Sequence, residues 1–162
     1  LAAVDVRFRT GMVEVFRGAS THKLDDKARL IVPKRLLDRL PAVDTNFVLT
    51  ASQDRCLLLL PKSAFDAKAG EFDIDPLGGD ADRCSRLRRF LGHAEDVKPD
   101  KTGRILIPEV LRGFMGIGKD REVIVVGTGN AIELWAPERW NRARDDGAGS
   151  LSDGTTVESA AG

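Results

Sequence analysis

The chain has 162 residues, 42% hydrophobic and 31% charged, with 25 basic and 25 acidic residues that cancel to a net charge of zero. That length supports one compact unit or two small ones, and the balance excludes a uniformly basic polyanion binder. No apolar run approaches the ~18 residues of a membrane span, no stretch has the layout of a signal peptide, and two cysteines without a CxxC pair argue against a disulfide framework or zinc site and for a reducing cytosol.

In chain order, residues 1–14 show no periodicity and are expected to be a non-native or disordered extension. Residues 22–25 and 29–32 read as two short strands around a tight turn at 26–28. Pro33 stands where a helix begins, ahead of KRLLDRL. Phe47–Ala51 and residues 55–60 form a hairpin, and the all-apolar LLLL predicts a strand buried on both faces. Pro61 opens a short helix. Residues 76–92 form a linking helix: Asp80 is its N-cap, and Cys84, Leu87, Phe90 and Leu91 give it an apolar stripe. The first order of elements then recurs: a strand at 104–107, a helix at 108–115, a hairpin of 122–126 and 131–135, and a helix at 137–144. Residues 146–162 are small and polar and are expected to be a disordered tail.

The recurrence is a sequence repeat. HKLDDKARLIVPKRLLDRL, from His22, returns as VKPDKTGRILIPEVLRGFM, from Val97. A constant offset of 75 superposes Asp25 on Asp100, Arg29 on Arg104 and Pro33 on Pro108, and carries on without a gap to Phe65 and Trp140. One small unit has been duplicated. The units span residues 15–75 and 93–145. Both motifs are locally basic. Residues 16–40 hold seven basic and three acidic side chains, as do residues 83–104, and the compensating acid lies in 66–82 and beyond 145. Local potential, not net charge, steers a polyanion.

The unit to explain is Asp-x-x-x-Arg, three apolar residues, then Pro. A helical i,i+4 ion pair fits poorly, because the flanks are strand-like and Gly103 disfavours a helix. In a strand–turn–strand reading the Asp carboxylate accepts turn N–H groups. The Arg fork then reaches either that Asp or a bound anion. Both roles stay open. No GxGxxG or Walker loop is present. His22 and His93 lack a nucleophile motif, and Trp135 and Trp140 read as packing residues. No enzyme, metal or cofactor is expected.

VFRGASTHKLDDKARLIVPKR, PDKTGRILIP, FLGHAE and LRGFMGIGKDREVIVVGTGNAIELWAPERW together resemble the MraZ family over residues 15–144. The resemblance implies a mostly β fold with short helices (α+β): tandem duplicated AbrB-like (SpoVT-AbrB) barrel-like domains related by a pseudo-twofold. It implies a bacterial transcriptional regulator, cytoplasmic and nucleoid-associated. Its partners would be double-stranded DNA and copies of itself, with no membrane and no small-molecule substrate. The DNA would be short direct repeats ahead of the division and cell-wall gene cluster that includes its own gene, bound by a multi-subunit ring acting as repressor. DNA-binding residues would be Arg29, Lys27, Arg104, Arg17 and Lys101, with Asp25 and Asp100 supporting the turns.

The chain departs from the family pattern in three places. Ala28 stands where Gly precedes the Arg, Thr102 stands where a basic residue would strengthen anion binding and so ranks the second motif below the first, and Val15 replaces the initiating Met of Met-Phe-Arg-Gly. If position 28 needs positive φ, Ala there is strained. The alternative functions are an antitoxin-like protein-binding module and a ring-shaped scaffold without DNA specificity.

Overall fold

The computed structural model describes residues 15–40, 44, 46–72, 80–118 and 120–152, with the side chains of the last helix described to Asp146. The extension at 1–14, the stretch 73–79 and residues 153–162 lie outside the described residues. Among the described residues, eight strands and five helices follow in order: β1 Phe16–Lys23, β2 Arg29–Ile31, α1 Lys34–Leu37, β3 Phe47–Ala51, β4 Leu57–Pro61, α2 Lys62–Gly70, α3 Ala81–Phe90, β5 Glu95–Val97, β6 Arg104–Leu106, α4 Glu109–Met115, β7 Glu122–Gly129, β8 Ile132–Trp135 and α5 Pro137–Ser152. Among the described residues no helix is long and apolar enough to cross a membrane.

Six strands form one antiparallel sheet in the order β1-β7-β8-β4-β3-β5. β2 and β6 form a separate antiparallel ribbon. Under the 75-residue offset the sheet order reads the same from both ends. β1 pairs with β7 and its counterpart β5 pairs with β3, so each half donates its first strand to the other half. The centre is the β4–β8 pair, where Leu57 faces Leu134 and Leu59 faces Ile132. The boundary drawn along the sequence between the units is crossed by these pairings.

Alternation sorts the side chains into two layers. Leu57, Leu59, Val123, Val125, Ile132 and Leu134 face the ribbon, where Leu30 and Ile105 meet Leu36 of α1 and Leu111 and Met115 of α4. On the opposite face Cys56, Val126 and Trp135 pack with Trp140 of α5. Also on that face, Leu60 and Ala131 pack with Phe90 of α3, whose ring stacks on Phe65 of α2 at 5.0 Å. The LLLL run is buried as the sequence suggests, with Leu58 half-buried.

Local chemistry fixes the helix starts. Pro33, Pro61 and Pro108 sit at the N-caps of α1, α2 and α4. The Asp80 side chain accepts from Arg83 N and caps α3 as expected.

Three elements run longer than the sequence suggests. β1 starts at Phe16, because after Phe16 and Arg17 its small residues GAST pair through the backbone without an apolar alternation to announce them. β7 continues to Gly129. α5 runs to Ser152, so residues 146–152 are helical rather than tail. Once a helix is nucleated, each added residue costs little, and a glycine costs only about 1 kcal/mol relative to Ala.

Thr50, the one fully buried polar residue among the described residues, donates its hydroxyl to Phe90 O and holds the end of α3 on the sheet. Its counterpart in the repeat is Val125. Thr50→Val keeps the shape and strands that carbonyl. It should lower stability by about 1–3 kcal/mol, with hydrogen exchange in α3 accelerating before that in β7. Unchanged α3 protection would show that the hydroxyl carries no such role.

Candidate nucleic-acid interface

The two Asp-x-x-x-Arg segments are built alike. Asp25 Oδ1 accepts from Lys27 N and Arg29 N, both at 2.9 Å, and Asp25 Oδ2 accepts from Arg29 Nε at 2.7 Å. Asp100 Oδ1 accepts from Thr102 N at 2.9 Å, Thr102 Oγ1 at 2.8 Å and Arg104 N at 3.0 Å, and its Oδ2 accepts from Arg104 Nε at 2.7 Å. Backbone bonds close each turn: Ala28 N to Asp25 O and Asp25 N to Arg29 O, both 3.0 Å, are repeated by Gly103 N to Asp100 O at 2.9 Å and Asp100 N to Arg104 O at 3.0 Å. Thr102, where a basic residue would strengthen anion binding, adds its hydroxyl to the carboxylate instead.

Ala28 has φ +59° and Gly103 has φ +81°, so the turn does require the left-handed region at this position. Each of these residues is also tied to the opposite half, since Ile107 N donates to Ala28 O at 3.0 Å and Val32 N to Gly103 O at 2.9 Å. The turns therefore sit at opposite ends of the β2–β6 ribbon. In the ribbon Arg29 faces Leu106, Leu30 faces Ile105 and Ile31 faces Arg104. Leu30 and Ile105 are buried, which turns Arg29, Ile31, Arg104 and Leu106 outward.

The carboxylates hold the arginines without using them up. The Arg29 and Arg104 side chains keep 30% and 34% of their surface exposed. Only Nε of each meets its Asp, and among the described residues the two Nη groups have no hydrogen-bond partner. The backbone N–H of Arg29 holds the Asp25 carboxyl below the usual carboxylate range, helped by the guanidinium and by Lys27 N. The Arg104 N–H does the same for Asp100, helped by the Thr102 hydroxyl and the Arg104 side chain.

Of the residues named from sequence, Arg29, Lys27, Arg104 and Lys101 share this ribbon and its turns. Lys27 and Lys101 are exposed. Arg17 is not with them. It lies near the start of β1, opposite Thr128, roughly 20 Å along the strand from Lys23 at ~3.3 Å per residue. Arg35 and Arg39, counted in the local basic excess, are spent on structure. Arg35 Nη1 donates to Arg17 O at 2.6 Å and Arg39 Nη1 to Val15 O at 2.5 Å, which occupies carbonyls along the edge strand. The arginines of α3 belong to the other face of the sheet.

Sequence reasoning missed Arg121, whose Nη1 reaches Asp26 Oδ1 at 3.0 Å and braces the first turn from 95 residues away. No local signal announces it. It also missed Ile31 and Leu106. Their signal was present, since a residue two places after each turn arginine must share its face.

The model of a family described as "MraZ protein, putative antitoxin-like" matches residues 15–83 and 90–156. Proteins named transcriptional regulator MraZ are similar over most of the chain. That of Methylobacillus flagellatus is 42% identical over 128 residues, 78% of this chain and 84% of the relative. That of Kineococcus radiotolerans is 37% identical over 139 residues, 86% and 93%. That of Bifidobacterium longum is 32% identical over 151 residues, 91% and 97%.

Two outcomes follow from the turns. Ala28→Gly releases about 1–2 kcal/mol of left-handed strain against about 0.5–1 kcal/mol of added chain entropy. The net gain of about 0.5–1 kcal/mol should raise Tm by a few degrees. Gly103→Ala should lower Tm, because the new Cβ is strained and lies 3.0 Å from Leu37 Cδ1. A fall in Tm for Ala28→Gly would refute the strain.

With both Asp carboxyls lowered in the folded state, their stabilisation is fully present above the unfolded value near pH 4 and is lost as pH falls below it. Asp100→Asn should be less stable than the parent at pH 7 and should depend less on pH between 4 and 2. Parallel acid-unfolding curves for the two proteins would contradict this.

Proposed function

Because the chain belongs to the MraZ family, we propose that it is a sequence-specific DNA-binding transcriptional regulator that contacts DNA with the outer face of the β2–β6 ribbon and its two turns. The observation that carries this reading is the pair of Asp-braced arginines, which present their Nη edges outward on a two-stranded ribbon. The major groove, about 12 Å wide, admits such a ribbon. An arginine fork held through Nε keeps its other edge for the O6 and N7 acceptors of guanine or for a phosphate. Lys27 and Lys101 at the turn tips add phosphate contacts, which position the protein rather than specify sequence. Arg17 lies apart from the ribbon, and a role for it requires DNA that continues past the turn.

The exchange of first strands between the halves supports assigning the fold to the AbrB-like swapped-hairpin group. The family resemblance supports the finer reading: a cytoplasmic, nucleoid-associated repressor of the division and cell-wall cluster that includes its own gene, binding short direct repeats as a ring. One ribbon offers four cationic side chains, so several subunits on successive repeats would supply the missing affinity as effective concentration. The family description favours one second reading, an antitoxin-like protein-binding module. In that reading the ribbon would be dispensable for DNA.

Arg29→Ala should leave the fold intact and cost about 1–3 kcal/mol per engaged subunit on a duplex taken from just upstream of the chain's own gene. Arg29→Lys should recover little, because a point charge cannot replace the fork. Binding should weaken steeply with salt, by about −0.9 in log–log slope per phosphate neutralised. The slope should be shallower on a single repeat than on several. Normal binding by Arg29→Ala would make Arg29 a structural partner of Asp25 and would overturn the ribbon as the DNA surface.

A further inference from the structure

The outward face of the ribbon carries two side chains that a purely cationic reading does not use. Ile31 is 54% exposed and Leu106 is 56% exposed, among the largest exposures of any big apolar residue described. The register gives them a definite arrangement. At one level of the ribbon Arg29 stands beside Leu106, and two residues further along Ile31 stands beside Arg104. Each level thus pairs one guanidinium with one apolar side chain, and the strand that bears the cation alternates. The levels are separated by roughly 7 Å, twice the ~3.4 Å rise of an antiparallel strand. That is about two base-pair steps, at ~3.4 Å each along one DNA strand.

The surroundings select what could cover this pair. Lys27, Arg29, Lys101 and Arg104 flank the two apolar side chains on both sides. A second copy of the same face would set these cations against each other. The apolar area is that of two side chains, far below the ~800 Å² per partner of a stable protein interface. A polyanion satisfies the flanks. For the centre it must then offer small apolar groups spaced along a groove, and in the major groove of DNA the apolar group is the thymine C5-methyl.

We propose that Ile31 and Leu106 read 5-methyl groups on pyrimidines in the major groove, so that each level of the ribbon recognises a methyl together with the acceptor edge taken by its arginine. The inference rests on the DNA-binding reading above and adds the sequence feature that the arginines alone do not sense. Thymine and 5-methylcytosine carry the same methyl, and thymine is the source assigned here.

The test uses the full chain and the duplex from just upstream of its own gene, made with thymine or with uracil at every T position, at one salt concentration. The parent protein should bind the uracil duplex more weakly, by roughly fourfold for each methyl buried. Ile31→Ala and Leu106→Ala should each bind the thymine duplex more weakly and lose part of the discrimination against uracil. Both side chains are exposed, so their Tm should stay near that of the parent. A third duplex keeps uracil and methylates its cytosines. Recovered affinity there would overturn the assignment to thymine in favour of 5-methylcytosine, and continued weak binding supports it. Equal affinity of the parent for the thymine and uracil duplexes overturns the proposal outright, whatever the variants do. Arg29→Ala, run alongside, separates the two layers. If it fails to bind while uracil costs the parent nothing, only the methyl contact is wrong. If it binds like the parent, the ribbon is not the DNA surface and both readings fall.

Discussion

Two backbone hydrogen bonds, Val32 N to Gly103 O and Ile107 N to Ala28 O, hold the arrangement on which the rest depends. Each takes the carbonyl of a left-handed turn residue and gives it to the opposite half. With the buried Leu30–Ile105 pair between them, they make the ribbon a joint product of both repeats. Neither turn is shaped by its own sequence alone. That explains how an alanine can occupy a position that favours glycine: its conformation is over-determined by the carboxylate of Asp25 on one side and by Ile107 on the other.

The braced turn also resolves what looked like a choice of roles for the arginines. Pairing with Asp and presenting a fork to a ligand are not alternatives when the carboxylate uses only Nε. The carboxylate's second oxygen is filled by backbone N–H groups, so it is anchored before it orients the guanidinium. An exposed ion pair by itself contributes little. Its worth here lies in restricting a side chain that otherwise loses about 2 kcal/mol of rotamer freedom when immobilised. Thr102 tightens the second turn further at the expense of a charge, so the two ends of the ribbon differ in stiffness and in electrostatic pull.

Much of this was legible in the sequence because it is local. The Asp-capped turns, the proline-started helices and the Asp80 cap each follow from residues within a few positions of one another, and the repeat offset shows each local pattern twice. What was not legible is long-range. Nothing in FRGASTHK says that it pairs with β7 rather than with its own hairpin, since small residues carry no register signal. Arg35 and Arg39 look like members of a basic patch until the edge carbonyls of β1 are found to occupy them. Ile31 and Leu106 do not stand out in the sequence, because an unbroken apolar run hides its alternation. Only the separation of a two-stranded ribbon from the main sheet leaves one face uncovered.

The exchange of first strands has a consequence for how the protein is made. β1 is the first described strand to leave the ribosome, yet its partner ends at Gly129. Until residue 129 has emerged, residues 16–23 lack their full native backbone partner, and the first repeat waits with a strand's worth of open amide and carbonyl groups. Long-range pairing of this kind is intrinsically slow and leaves edges open to wrong partners. The small, polar, lysine-ended strand FRGASTHK suits that interval, because it offers a stray chain little apolar surface to hold.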